Sequence, residues 1–241
     1  MVINVHAGHN PDGKTACGAV GIIRESSEAR RVKNEVICHL CQLGHTVYDC
    51  TCDNGTSQAD VLTKIVTACN AHDVDLDVSI HFNAGAGDAT GNGKTTGVET
   101  YIYSADSKAK PYAEKICNAI AELGFKNRGV KTNAGLYFLR KTKAPAMLIE
   151  CCFVDDKDDV ELYDYKSMAD AIVFGITDQS AVPEQTVATD PDASAAGAET
   201  AVGTKRELYR VQVGAYSVKD NADRMQEKLK AAGFDAIIIK A

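Results

Sequence analysis

His9, Glu25, His81 and Glu150 are the residues of this chain whose types and settings could carry chemistry. His81 lies in the stretch Asp77 to Asn83, D-V-S-I-H-F-N, just before the flexible Ala84-Gly85-Ala86-Gly87, where a strand gives way to a loop. His9 follows the short apolar run Val2 to Val5. Glu25 continues the helical stripe Ala29, Val32, Val36, Leu40 and Leu43 back by one step of four. Two imidazoles and one carboxylate with an open fourth position are the ligand set of a catalytic zinc hydrolase, in which the metal polarises a carbonyl and lowers the pKa of its water to about 7. Glu150, at the end of the apolar run Ala146-Met147-Leu148-Ile149, adds a carboxylate able to take a proton from water and pass it to a leaving amine. Each residue also has a plainer reading. His81 could be a satisfied histidine at a sheet edge, Glu25 an anion at the positive end of a helix dipole, and Glu150 a buried acid that is simply paired.

These side chains need elements to hold them. Leu76, Val78, Ile80 and Phe82 alternate with Asp77, Ser79, His81 and Asn83, which predicts a strand with one apolar and one polar face. Further strands are expected at Val2 to Val5, Thr46 to Cys50, Val98 to Tyr103 and Ala146 to Ile149, with a short peripheral one at Asn133 to Leu139. Helices are expected from about Ser26 to Leu43, Ser57 to Ala71, Ser107 to Leu123 and Ser167 to Ile176, two of them closed by Gly44 and Gly124. Asp155 to Asp159 reads as a solvated turn. The alternation implies an α/β fold, a mostly parallel twisted sheet covered by helices. From Asp178 to about Thr204 the chain turns to Ala, Thr, Pro, Asp, Glu and Gly, a composition that reads as a flexible linker over 178–205. A small βαβ unit over 206–241 follows, with a strand at Leu208 to Tyr216, a helix at Asn221 to Ala232 and a strand at Ala236 to Ile239.

Composition narrows the partners. With 241 residues and 45% apolar residues the chain can bury a sizeable core. Its formal charge of −7 and its lack of a Lys/Arg-rich run argue against nucleic acid or an anionic membrane. No apolar run approaches the roughly 20 residues of a membrane span. Met1 to His6 lacks a basic n-region and a long h-region, so the expectation is synthesis in the cytoplasm without a signal peptide. The nine cysteines are odd in number and several fall within predicted helices and strands, so we read them as reduced. Cys38-x-x-Cys41 with Cys50-x-Cys52 has the composition of a zinc site, but the first pair lies inside a helical pattern and the spacing fits poorly.

Six segments together resemble the zinc-dependent N-acetylmuramoyl-L-alanine amidases of the amidase type 3 family, found in bacterial wall-remodelling enzymes and phage endolysins. They are Ala7-Gly8-His9, R-E-S-S-E-A-R from Arg24, L-G-H-T-V from Leu43, S-I-H-F-N-A from Ser79, K-N-R-G-V-K at Lys126 to Lys131, and A-M-L-I-E-C-C-F at Ala146 to Phe153. The likeness runs over residues 1–177. It implies a zinc ion (Zn2+) held by His9, Glu25 and His81, with Glu150 as catalytic carboxylate. The bond cut would be the amide between the muramyl lactyl group and L-alanine of the peptidoglycan stem peptide. The family interval to the helix-closing glycine selects Glu25 over Glu28. The chain opens V-H-A-G-H-N where many relatives have Asp-Pro-Gly-His-Gly, so His6 competes with His9, although it lies within the strand. Asn83 is a candidate substrate contact. The segment from Tyr209, Y-R-V-Q-V-G-A-Y, resembles the first half of a SPOR domain, which implies peptidoglycan as a binding partner as well as a substrate and places the action at the cell wall. A zinc peptidase cutting within the stem, or a non-catalytic wall-binding protein, are the alternatives.

Overall fold

The computed structural model describes residues 1–180. Of the linker expected over 178–205 only the first three residues fall within them, and the unit expected over 206–241 lies outside the described residues. Twelve elements follow in order: β1 (Val2–Ala7), α1 (Glu25–Gln42), β2 (Thr46–Asp49), α2 (Gln58–Cys69), β3 (Leu76–Asn83), β4 (Val98–Ile102), α3 (Lys110–Glu122), β5 (Asn127–Thr132), α4 (Tyr137–Lys141), β6 (Ala146–Phe153), α5 (Lys157–Leu162) and α6 (Tyr165–Thr177). The strands form one sheet in the order β2-β1-β3-β6-β4-β5. Four of its five pairings are parallel and β4 runs antiparallel to β6, which makes the sheet mostly parallel.

Helices cover both faces. Ile3, Val5, Val78, Ile80, Met147 and Ile149 bury one face beneath the apolar stripes of α1, α3 and α6, including Val32, Val36, Ile116, Ile120 and Ile172. Each fully buried aliphatic side chain of this size contributes about 1.5–3 kcal/mol relative to exposure. The opposite face carries a smaller cluster in which Leu148 and Ala146 meet Ile65 of α2 and Phe138 and Leu139 of α4. β3 therefore keeps its alternation but not a wet face: Asp77 and Ser79 are as buried as Val78 and Ile80, and Asn4 donates to Asp77 Oδ1 at 2.7 Å. Among the described residues no helix is long and apolar enough to cross a membrane.

Two local expectations are corrected. Asn133 to Leu139 is not a strand. Asn133 Oδ1 accepts the Gly135 N–H at 2.9 Å, an Asx turn that ends extended backbone, and α4 starts two residues later. The edge strand is instead β5, within the K-N-R-G-V-K segment. The Asp155 to Asp159 segment is not a solvated turn either, because Asp156 and Asp159 are fully buried. Asp159 accepts N–H groups from Gly97 and Phe153, and Asp156 caps α5 by accepting from Asp159 N at 3.0 Å. A run of acids reads as solvated until donors from distant parts of the chain converge on it.

Candidate metal centre

The site forms where β1 and β3 run out beside the first turn of α1. After β1 the Gly8 N–H donates to Ile80 O at 2.9 Å, which lays residue 8 against the His81 ring. A Cβ on Gly8 would stand 2.0 Å from His81 Cε1, so glycine is required for this approach. His9 follows in the left-handed region with φ of 65°, sparsely populated for a residue with a side chain and tolerated where surrounding bonds over-determine it. Those bonds are present. Arg30 Nη2 donates to His9 O at 2.9 Å, and buried Asn10 donates to Thr15 O and Gly55 O while accepting Gly55 N–H.

Glu25 opens α1 with its carboxylate turned into the protein. Ala19 N donates to its Oε2 at 2.7 Å, and Gly18 passes so close that a Cβ would lie 2.5 Å from that oxygen. The other oxygen faces both imidazoles: His81 Nδ1 is 2.8 Å and His9 Nε2 is 3.2 Å from Oε1. The rings meet edge to face with centroids 4.9 Å apart. Burial alone would raise the Glu25 carboxyl, but the hydrogen bonds from His81 and His9 outweigh it and hold the group well below the usual carboxylate range. It is therefore an anion with two nitrogens aimed at it.

Among the described residues this is the one cluster of His, Cys, Asp or Glu donors compact enough for an ion, all within 4.8 Å of one another. The donor set fits zinc chemically. Ligand distances of 2.0–2.2 Å in a tetrahedron imply donor separations of about 3.3 Å, close to those between Glu25 and the two imidazoles. Cys38 and Cys41 lie exposed on α1, whereas Cys50 and Cys52 are buried. His6 stays apart from the triad, buried in β1 edge-on to Phe138, with burial as the first cause holding its ring down at about 3.

Glu150 lies within β6, which continues to Phe153, so it does not terminate the strand as its sequence suggests. The register sets His81, Glu150 and Glu99 side by side across β3, β6 and β4. Residues opposite one another on adjacent strands project to the same face, so the imidazole and both carboxylates form one row. Glu150 Oε2 is buried without a hydrogen-bond partner. Burial first, then the charges of Glu25 and Glu99, push this carboxyl up to about 8.

The row ends in a network that the sequence reading overlooked. Glu99, with a side chain 2% exposed, accepts from Asn83 Nδ2 at 2.9 Å, Tyr101 OH at 2.7 Å, Arg128 Nε at 2.5 Å and Lys131 Nζ. Burial opposes its charge, but these donors hold it down at about 2. An acid inside the apolar strand V-E-T-Y-I is the same signal that singled out Glu150. Asn83 is thus anchored to Glu99, and its Oδ1 also accepts the Ala84 N–H.

A helix-covered, mostly parallel sheet with two imidazoles and a carboxylate beside an orphaned acid defines a candidate metallohydrolase. The N-acetylmuramoyl-L-alanine amidase family model matches residues 3–178, most of the chain, and the chain belongs to that family. A SPOR domain model matches residues 188–240. Among similar proteins are an uncharacterized protein of Clostridium perfringens, 39% identical over 68% of this chain, and the N-acetylmuramoyl-L-alanine amidase CwlM of Bacillus licheniformis, 32% identical over 76% of this chain and 64% of its own length. The chain spans about half the length of the Clostridium perfringens protein, 47% of it. The catalytic domain of the CD27L endolysin targeting Clostridia Difficile superposes with a TM-score of 0.66 at 27% identity, covering 75% of this chain and 98% of that domain.

Proposed function

We propose that this protein is a zinc-dependent N-acetylmuramoyl-L-alanine amidase that hydrolyses the amide between the lactyl group of N-acetylmuramic acid and the L-alanine of the stem peptide in peptidoglycan. The observation that carries the reading is the convergence of His9, Glu25 and His81 within 4.8 Å beside the unpartnered Oε2 of Glu150. His9, Glu25 and His81 would hold the ion. When bound, zinc would polarise the scissile carbonyl and make water more acidic. Glu150 Oε2 takes the proton of the attacking water as the water oxygen bonds to the lactyl carbonyl carbon. It then gives that proton to the L-alanine nitrogen as the C–N bond breaks. Burial and the neighbouring charges of Glu25 and Glu99 suit Glu150 to this exchange, since both raise its proton affinity.

Asn83 has spent one amide hydrogen on Glu99, and the second is left for a substrate carbonyl. Residues 188–240, which match the SPOR model, would tether the enzyme to its insoluble substrate and raise its local concentration there, so that it acts at the cell wall.

Digestion of purified walls followed by labelling of new amino termini tests the assignment. Free L-alanine termini should appear, vanish on chelation and return with zinc. Termini from within the stem would mark a zinc peptidase, and binding without new termini a non-catalytic wall-binding protein; either result overturns the proposal.

A further inference from the structure

The K-N-R-G-V-K segment contributes two cations to the rim of the site. Arg128 and Lys131 both reach Glu99, which stands beside Glu150 in register. One buried carboxylate facing two cations leaves this cluster with a net charge of +1 within a chain whose formal charge is −7. Glu99 has no need of further donors. A carboxylate offers about four acceptor sites, and Asn83, Tyr101, Arg128 and Lys131 fill them.

Arg128 meets Glu99 through Nε and not through its bidentate fork. Among the described residues Nη1 and Nη2 bond to no acceptor, while the guanidinium carbon lies over the Phe153 ring, 5.0 Å from its centre. A guanidinium held through Nε and lying over an aromatic ring keeps its fork free for a second, planar anion. Glu99 draws it over β4, one strand spacing of about 4.8 Å from β6 and Glu150. An extended peptide advances about 3.4 Å per residue. A stem peptide whose scissile amide lies at Glu150 would thus bring its first or second residue over the fork.

We propose that Arg128, with Lys131 beside it and Glu99 as the positioning residue, binds a carboxylate of the stem peptide one or two residues past the scissile amide. This inference rests on the amidase reading and adds to it a determinant of substrate choice. In the stem the fitting group is the α-carboxylate of the glutamate after L-alanine.

The test compares two muramoyl-L-alanyl-γ-D-glutamyl-L-lysine substrates, identical except that the glutamate α-carboxyl is free in one and amidated in the other. For the zinc-loaded full chain, KM for the free acid should be lower by about tenfold, with kcat changed little, as expected for a charge-assisted bond. Arg128→Gln should bring the two KM values together, read as their ratio within the variant, and Arg128→Lys should keep part of the preference. Equal KM values in the wild type overturn the proposal, and they would mean that the cations serve only to neutralise Glu99. Should Arg128→Gln fail to fold, Lys131→Met at the more exposed position reads the same ratio. Lack of cleavage of either substrate would instead overturn the amidase reading. Calorimetric binding of the free and amidated L-alanyl-γ-D-glutamyl-L-lysine tripeptides would then decide the subsite, equal affinity counting against it.

Discussion

Glu25 is buried and Glu150 half-buried with its Oε2 sealed from solvent, yet their surroundings drive the two acids in opposite directions. Glu25 faces two imidazoles and stays charged, whereas Glu150 Oε2 faces no donor and gains a proton easily. In the proposed mechanism ligand and base are thereby separated by environment and not by residue type. Glu150→Gln should retain bound zinc, measured by metal analysis, while its turnover falls by at least about 100-fold. His81→Ala should lose the metal itself. Gly8→Ala should also lower metal affinity although residue 8 offers no ligand atom, because the added methyl would displace the His81 ring. Near-normal zinc content in Gly8→Ala would show that the ring can move without harm.

At the scale of elements, the segment from Asp155 to Asp159 fastens the long β3–β4 connection. Asp155 accepts N–H groups from Gly85, Ala86 and Gly87, Asp158 from Asn92, Gly93 and Lys94, and Asp159 from Gly97. This connection begins one residue after Asn83 and so frames the rim of the site. Asp159→Ala would orphan the N–H groups of Gly97 and Phe153 and should cost about 2–4 kcal/mol in denaturant unfolding. Hydrogen exchange over residues 84–97 should quicken as well. The stapling was not legible in the sequence, since five consecutive polar residues look alike whether or not distant donors reach them. β5 was hidden for a related reason. Asn127, Arg128 and Gly129 have little strand propensity, and pairing with β4 is what extends them.

For the whole molecule, the centre links stability to pH and metal. In the metal-free protein Glu150 is held at about 8, above the ordinary 4.5, so the folded state favours its neutral form. That contribution is full below about pH 4.5 and is lost as pH rises through 8. Metal-free Glu150→Gln should therefore melt close to wild type near pH 4.5 and increasingly above it towards pH 8; parallel curves would rule this out. Glu99 has the opposite sign. Held at about 2, it contributes stability above 4.5 that is lost as pH falls towards 2. Zinc should raise the melting temperature by mass action, an effect that Glu25→Ala should abolish.

The sequence by itself determined the alternation of strands and helices, the apolar stripes of α1 and α3, and the two elements that carry His81 and Glu150, because periodicity is a local record of which side is buried. It also singled out His9 and Glu25. Only the tertiary structure decided that β4 turns antiparallel against β6. That reversal sets Glu99 beside Glu150 and brings β5, with Arg128 and Lys131, to the rim of the site. Register between strands distant in sequence follows from packing and hydrogen bonding of the whole sheet, which no local pattern encodes.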